Sequence, residues 1–171
     1  MRRALVLVLL ALAGCAVPAP MPTVERVDLA RFMGDWYVIG SIPTFIERGA
    51  HNAVESYRLE PDGSIATTFT FRAGSFEGET RRYHPRGFVL DGASNALWGM
   101  QFVWPFKADY RIVHLATDYS QTVIARQKRD YVWIMARTPS ITEADYQQLL
   151  GIVASLGYDL ARVQKVPQRW N

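Results

Sequence analysis

Residues 64–71 read SIATTFTF, and this short run decides how the rest is read. Ile65, Thr67, Phe69 and Phe71 fall on one side of a period-two alternation, Ala66, Thr68 and Thr70 on the other. That period belongs to a strand with one greasier face. Just before it, Glu60-Pro61-Asp62-Gly63 is a strong turn signal. Working outward, β-branched and aromatic runs recur at 36–39, 53–59, 80–84, 96–104, 110–116, 121–126 and 131–137. Asp91-Gly92 and Lys128-Arg129-Asp130 mark turns between them. Eight short strands at near-regular spacing predict an all-β barrel or sandwich. One segment differs. Ser140-Ile141-Thr142-Glu143 reads as a capping box, and Tyr146, Leu149, Leu150, Val153 and Leu156 follow at helical spacing. Gly157 suits the position just past the helix end. A short strand over 161–166 is expected after it.

The 171 residues are 49% hydrophobic, 20% charged and 12% aromatic, a balance that is globular and not disordered. The length favours one domain with a full core. A single cysteine rules out an internal disulfide. That cysteine, Cys15, closes a leader. Arg2 and Arg3 precede an apolar run from Ala4 to Ala13, followed by Gly14. A basic start, a short apolar run and small residues at its end are signal-peptide grammar. The run is too short to cross a bilayer, which takes about 20 apolar residues. The segment after the cysteine, AVPAPMP at 16–22, carries three prolines and forms neither helix nor paired strand. The expected organisation is a leader at 1–14, Cys15 and a Pro-rich tether at 15–22, and one domain at 23–171. With Arg2 and Arg3 in the leader, the body is close to neutral, which argues against a nucleic-acid binder.

An eight-stranded barrel is wide enough to be filled by side chains or to hold one small ligand. Trp98, Met100, Phe102 and Trp104 share one strand face, and Tyr131, Trp133 and Met135 share another. Met and aromatic residues make adaptable apolar walls. Periodicity alone leaves open whether they line a cavity or fill a core. Catalytic groupings are missing: there is no G-x-S-x-G elbow, P-loop, G-x-G-x-x-G or H-E-x-x-H. His51, His84 and His114 lie on different segments without metal-ligand spacing. Glu55 is expected on a solvated outer face. The sequence therefore points to no enzyme, no metal and no cofactor.

Three motifs carry a family resemblance. Gly34-Asp35-Trp36-Tyr37 opens the first strand, Thr117-Asp118-Tyr119 sits between two later strands, and Arg137 ends the last one. In that order the motifs resemble those of lipocalins, and over about residues 23–168 the chain is similar to bacterial outer-membrane lipocalins and their apolipoprotein D-like relatives. Glu47-Arg48-Gly49, Trp104-Pro105-Phe106 and Arg129-Asp130-Tyr131 look like that subgroup too. Arg81 to Leu97 departs from the pattern and leaves the middle hairpin unassigned. The resemblance implies an eight-stranded antiparallel up-and-down barrel with one C-terminal α-helix packed outside. It implies that Gly34, Trp36, Thr117, Asp118, Tyr119 and Arg137 are structural, with Arg137 lying across the Trp36 ring at the closed base. Leu12-Ala13-Gly14-Cys15 matches the lipobox of bacterial lipoproteins, so Cys15 is the implied acylation site. Ala16, where some lipoproteins carry a retention Asp, favours the outer membrane, facing the periplasm.

The implied ligand is a fatty acid or lysophospholipid. If Arg137 points inward, strand parity turns Met135, Trp133 and Tyr131 inward too. The expected ligand wall is Trp98, Phe102, Tyr110, Ile112, His114, Trp133 and Met135. Tyr110, His114 and Arg126 are the candidates to meet a polar head group, and Pro43, Phe45 and Ile46 could form an apolar lip. Two rivals stay open, a structural or stress protein of the envelope with a filled barrel and an enzyme on the same barrel. A homodimer is also left open.

Overall fold

β1 (Gly34–Ile42) pairs on one side with β2 (Ala50–Leu59) and on the other with β9 (Val132–Ala136), and this double pairing closes the sheet into a barrel. The computed structural model describes residues 19–170; the leader and Cys15 lie outside the described residues. Between β2 and β9 run β3 (Ile65–Ala73), β4 (Thr80–Tyr83), β5 (Arg86–Val89), β6 (Leu97–Val103), β7 (Phe106–Leu115) and β8 (Gln121–Ala125), each antiparallel to its neighbours. β4 and β5 both pair with β3, at its late and early halves. They are two pieces of one barrel strand, so the barrel has eight. The break falls at His84-Pro85, where proline has no N–H to give a ladder. This resolves the segment 81–97: the run at 80–84 is shorter than expected, and 86–89 is a strand piece with no clear alternation of its own.

Two helices finish the barrel. α1 (Leu29–Phe32) is one turn, capped by Asp28, whose carboxylate accepts from the Arg31 N–H at 3.2 Å. It drives Phe32 into the base of the barrel, fully buried. One turn has no periodicity to read, so no sequence pattern marks it. α2 (Glu143–Ser155) lies outside the barrel and packs Tyr146, Leu149 and Val153 against Ile39, Val123, Ile134 and Ala136. Its cap is Thr142, not Ser140. The Thr142 hydroxyl accepts from the Asp145 N–H at 3.1 Å, so the N-cap sits two residues later than expected. Glu143 is instead turned outward, to Lys165 at 2.8 Å and Gln147 at 2.8 Å. Gly157 follows the helix with φ +86, a conformation a Cβ would oppose. The expected strand at 161–166 is a 3-10 turn at Leu160–Arg162 and a two-residue strand, β10 (Gln164–Lys165), that pairs with β1.

The core is therefore double. One cluster fills the barrel, from Phe32, Trp36 and Trp98 up to Phe69, Phe71 and Met100. The other glues α2 to the barrel wall. Gly40 marks the seam. A Cβ there would stand 2.9 Å from the Tyr146 hydroxyl, so only glycine lets the helix approach β1 this closely. Gly40→Ala should lower stability by about 1–3 kcal/mol through overpacking. Thermal melting of the variant checks this, and an unchanged melting point would mean Tyr146 swings away freely.

Candidate ligand-binding site

The three motif segments meet at the closed end. The Arg137 guanidinium lies 3.9 Å from the Trp36 ring centroid. It donates to the carbonyls of Asp35 at 2.9 Å, Arg31 at 2.8 Å and Phe32 at 3.1 Å. The Trp36 indole N–H donates to the Phe32 carbonyl at 2.9 Å. Gly34, at φ +93, leaves space for Arg137, whose guanidinium would be 3.4 Å from a Cβ at that position. Thr117-Asp118-Tyr119 joins from the next turn. The Tyr119 hydroxyl accepts from the Asp28 N–H at 2.9 Å, the Arg31 guanidinium stacks 4.0 Å over its ring, and Thr117 offers its carbonyl to Arg31 at 3.5 Å. The Asp118 carboxylate accepts from the Ser120 N–H and hydroxyl, which hold it below the ordinary carboxylate range. This end is a plug.

Above the plug the barrel is solid, then hollow. Trp98 stacks on Tyr110 with centroids 5.2 Å apart and planes 10° apart, and Phe32 meets the Trp98 edge at 5.5 Å. Over this floor opens a cavity of about 630 Å³. Phe69, Met100, Phe102, Tyr110 and Trp133 line its walls. Thr44, Phe45, Ile46 and Glu47, from the loop joining β1 to β2, line it at the end of the barrel away from Trp36.

Of the seven wall residues expected from sequence, Phe102, Tyr110 and Trp133 line this cavity. Trp98, Ile112 and Met135 do not. They belong to the interior cluster but are fully buried beneath the cavity, in the filled half. Parity finds the inward face of a strand but not the depth at which the barrel stops being packed. His114 does not line the cavity either. A β-bulge between Ile112 and His114 shifts the register, so His114 stands opposite Val123, whose side chain packs under α2. The ring is turned to the outside, and partial burial pushes its pKa down. Arg126 lines the cavity, pairs with Asp130 at 3.4 Å and lies 5.3 Å from the Tyr131 ring. Trp104 is on the tip of the β6–β7 hairpin, 81% exposed, and is no part of the wall.

Glu55 reverses the expectation of a solvated face. It is only 8% exposed and lines the cavity, opposite Trp36 in the β1–β2 ladder. The Tyr57 hydroxyl donates to its carboxyl and lies 2.7 Å from the Tyr110 hydroxyl. Burial first, and then the charge of Glu47, push Glu55 up to about 8. Glu47 is half-buried at the same cavity. Its carboxylate accepts from the Trp133 indole N–H at 3.0 Å and the Thr44 N–H at 2.7 Å, and burial still raises its pKa against those bonds. Burial, with Glu55 next to it, also holds the Tyr110 phenol well above its usual value. The signal for Glu55 was present in the sequence: Ala53, Glu55 and Tyr57 share a face, and two of the three are residues a barrel interior takes.

The raised Glu55 gives a pH dependence. Its native value near 8 lies above the ordinary 4.5, so between them the folded state holds a proton that the unfolded chain has released. Its contribution to stability is complete below about 4.5, declines as pH rises to about 8, and changes no further above that. Glu55→Gln should flatten this slope and raise stability at about pH 8 by on the order of 1–3 kcal/mol. Denaturant unfolding at the two ends of the window tests it; an identical slope in the variant would assign the effect to another group.

Comparison with known proteins agrees with the barrel. Residues 27–168 match the family model described as a lipocalin-like domain. The chain belongs to the lipocalin family. It is 29% identical over 160 residues to temperature-induced lipocalin-1 of Arabidopsis thaliana, covering 86% of this chain and 83% of the relative. It is 26% identical over 157 residues to the outer membrane lipoprotein Blc of Escherichia coli K12, covering 90% and 88%. Apolipoprotein D of Mus musculus is 26% identical over 160 residues, covering 88% and 82%. Among solved structures, insecticyanin of the tobacco hornworm superposes with a TM-score of 0.67 at 13% identity, covering 90% of this lipocalin and 86% of that chain. The cockroach allergen Per a 4 superposes with a TM-score of 0.64 at 20% identity, covering 86% and 93%. Proteins of this family are generally carriers of small hydrophobic ligands and not enzymes. Among the described residues no cluster of His, Cys, Asp or Glu has the makings of a metal site.

Proposed function

We propose that this lipocalin is lipid-anchored in the outer membrane, faces the periplasm, and stores or carries fatty acids or lysophospholipids without catalysis. The observation that carries the reading is the cavity of about 630 Å³ inside the barrel, walled by Phe69, Met100, Phe102 and Trp133. That volume is within the usual range for small-ligand pockets, about 300–1,000 Å³. Binding would draw on apolar burial at about 25 cal/mol per Å², less the cost of ordering the chain. A filled barrel describes the lower half only, where Trp98, Ile112 and Met135 pack. Titrating tryptophan fluorescence with a lauroyl lysophospholipid tests the proposal: saturable change supports it, and a flat signal sinks it.

The envelope location is supported by the lipobox-like Leu12-Ala13-Gly14-Cys15 and by similarity to outer membrane lipoproteins named Blc. Acylation at Cys15 would put several acyl chains on one residue, and more than one is what stable anchoring takes. Cys15→Ser should release the protein from the membrane fraction or leave its leader uncleaved. A Cys15→Ser protein that still sediments wholly with outer membranes after a high-salt wash would overturn the anchor.

A further inference from the structure

The cavity gathers more acidic side chains than basic ones. Glu47, Glu55 and Asp109 line it, against one cation, Arg126. Asp109 is answered by Arg111 at 3.0 Å, and Arg126, still on the cavity wall, pairs with Asp130 at 3.4 Å. Neither Glu47 nor Glu55 joins an ion pair among the described residues. Tyr57 on its own strand and Tyr110 on β7 form a hydrogen-bonded chain with Glu55, and Tyr83 on β4, Asp109 on β7 and Arg126 are the other titratable groups on the cavity wall besides Glu47 and Tyr131. One Glu55 oxygen accepts from Tyr57; the other, Oε1, takes no hydrogen bond among the described residues, although the residue is more than nine-tenths buried. The Thr44 hydroxyl and the Arg126 Nε, both on residues that line the cavity, are buried without a partner among the described residues.

A carboxylate ligand placed here would meet Glu47, and like charge at Glu55 as pH rises toward about 8, in a poorly solvated site, which is disfavoured. An ammonium would find two acids, and aromatic faces at Tyr110 and Trp133 to replace part of its lost water. We propose that this cavity selects amphiphiles that carry a cationic nitrogen, with Glu55 and Glu47 as its counter-charges. The inference rests on the reading of the cavity as a lipid site and narrows its ligand class. The nitrogen sits beside the two carboxylates, and the alkyl chain packs on Phe69, Met100 and Trp133. A long-chain amine and the ethanolamine head of a lysophospholipid share this chemistry.

Binding has a proton signature. Near neutral pH the empty site holds Glu55 largely protonated. An arriving ammonium favours the carboxylate, so the proton leaves Glu55 for solvent as the ion pair forms. Affinity for an amine should therefore rise with pH toward about 8, and affinity for a fatty carboxylate should fall.

Calorimetry of the purified protein at about pH 7, in two buffers of different ionisation enthalpy, separates the outcomes. The probes are dodecylamine, lauroyl lysophosphatidylethanolamine, dodecanol and dodecanoic acid. At least one nitrogen-bearing probe should bind about ten-fold or more tighter than dodecanol, with net proton release; which one does so identifies the source of the nitrogen. Dodecanoic acid should bind more weakly than dodecanol. Glu55→Gln should abolish the preference and the proton release while dodecanol still binds. Equal affinity for all four probes, or a preference that survives both Glu55→Gln and Glu47→Gln, overturns the cation selectivity alone. Failure of every probe to bind saturably overturns the lipid-cavity reading, and this inference with it. The proton count on the unmodified protein keeps the test decisive even if a variant does not fold.

Discussion

Trp36→Ala should lower the stability of the barrel by about 3–5 kcal/mol, the usual cost of deleting a large buried aromatic. For a domain of this size that is a fall in melting temperature on the order of 10 °C. The effect is large because Trp36 is wholly buried and touched from several directions: Phe32 at 5.0 Å, the Arg137 guanidinium at 3.9 Å, and its own hydrogen bond to the Phe32 carbonyl. Arg137→Ala should cost less, about 1–3 kcal/mol, from three carbonyls that lose a charged donor. Because the guanidinium lies on the ring, the double variant should be less damaging than the sum, by about 0.5–2 kcal/mol. Strict additivity in denaturant unfolding would mean that ring and guanidinium do not pack together. Ligand affinity of the surviving folded fraction should change little, since the filled floor of Trp98, Ile112 and Met135 stands between plug and cavity.

The plug and the strands were legible because their causes are local. Alternation in 65–71 follows from the pleat, and Arg137, Met135 and Trp133 share a face for the same reason. What escaped has causes elsewhere in the chain. Counting along β7 predicts an inward His114, and one bulge against β8 turns it outward. The spacing from Ser140 predicts Glu143 in the helix cap, but Lys165 is close enough to hold it. α1 is a single turn whose stability comes from burying Phe32, not from a pattern of its own. The rule that acids face water predicts Glu55 outside. The barrel buries it nonetheless, by answering it with Tyr57 and by moving its titration to about 8. Such departures from a sequence rule concentrate where a site is made, and here the departing residue faces the cavity.

Trp133→Arg tests the site and not the plug. Trp133 lines the cavity, four residues before Arg137 on the same strand face, and its indole N–H donates to Glu47 at 3.0 Å. An arginine there takes away the aromatic wall and puts a fixed cation beside Glu47 and Glu55. Losing the apolar contact of one large side chain is worth about 1.5–3 kcal/mol, or about ten- to a hundred-fold in affinity for an acyl ligand. The new guanidinium also supplies the counter-charge that the empty cavity lacks, so the protein should stay folded. Glu55, no longer repelled by an unpaired Glu47, should titrate lower than about 8. Trp133→Phe separates the two effects. It keeps an apolar ring and removes only the donor to Glu47, so acyl affinity should fall by no more than a few-fold. A folded Trp133→Arg protein that binds a lauroyl lysophospholipid as well as the unmodified protein would mean that the ring does not face the ligand. An unfolded one, beside a folded Trp133→Phe, would mean that the wall is packed core at this position and that the charge cannot reach Glu47.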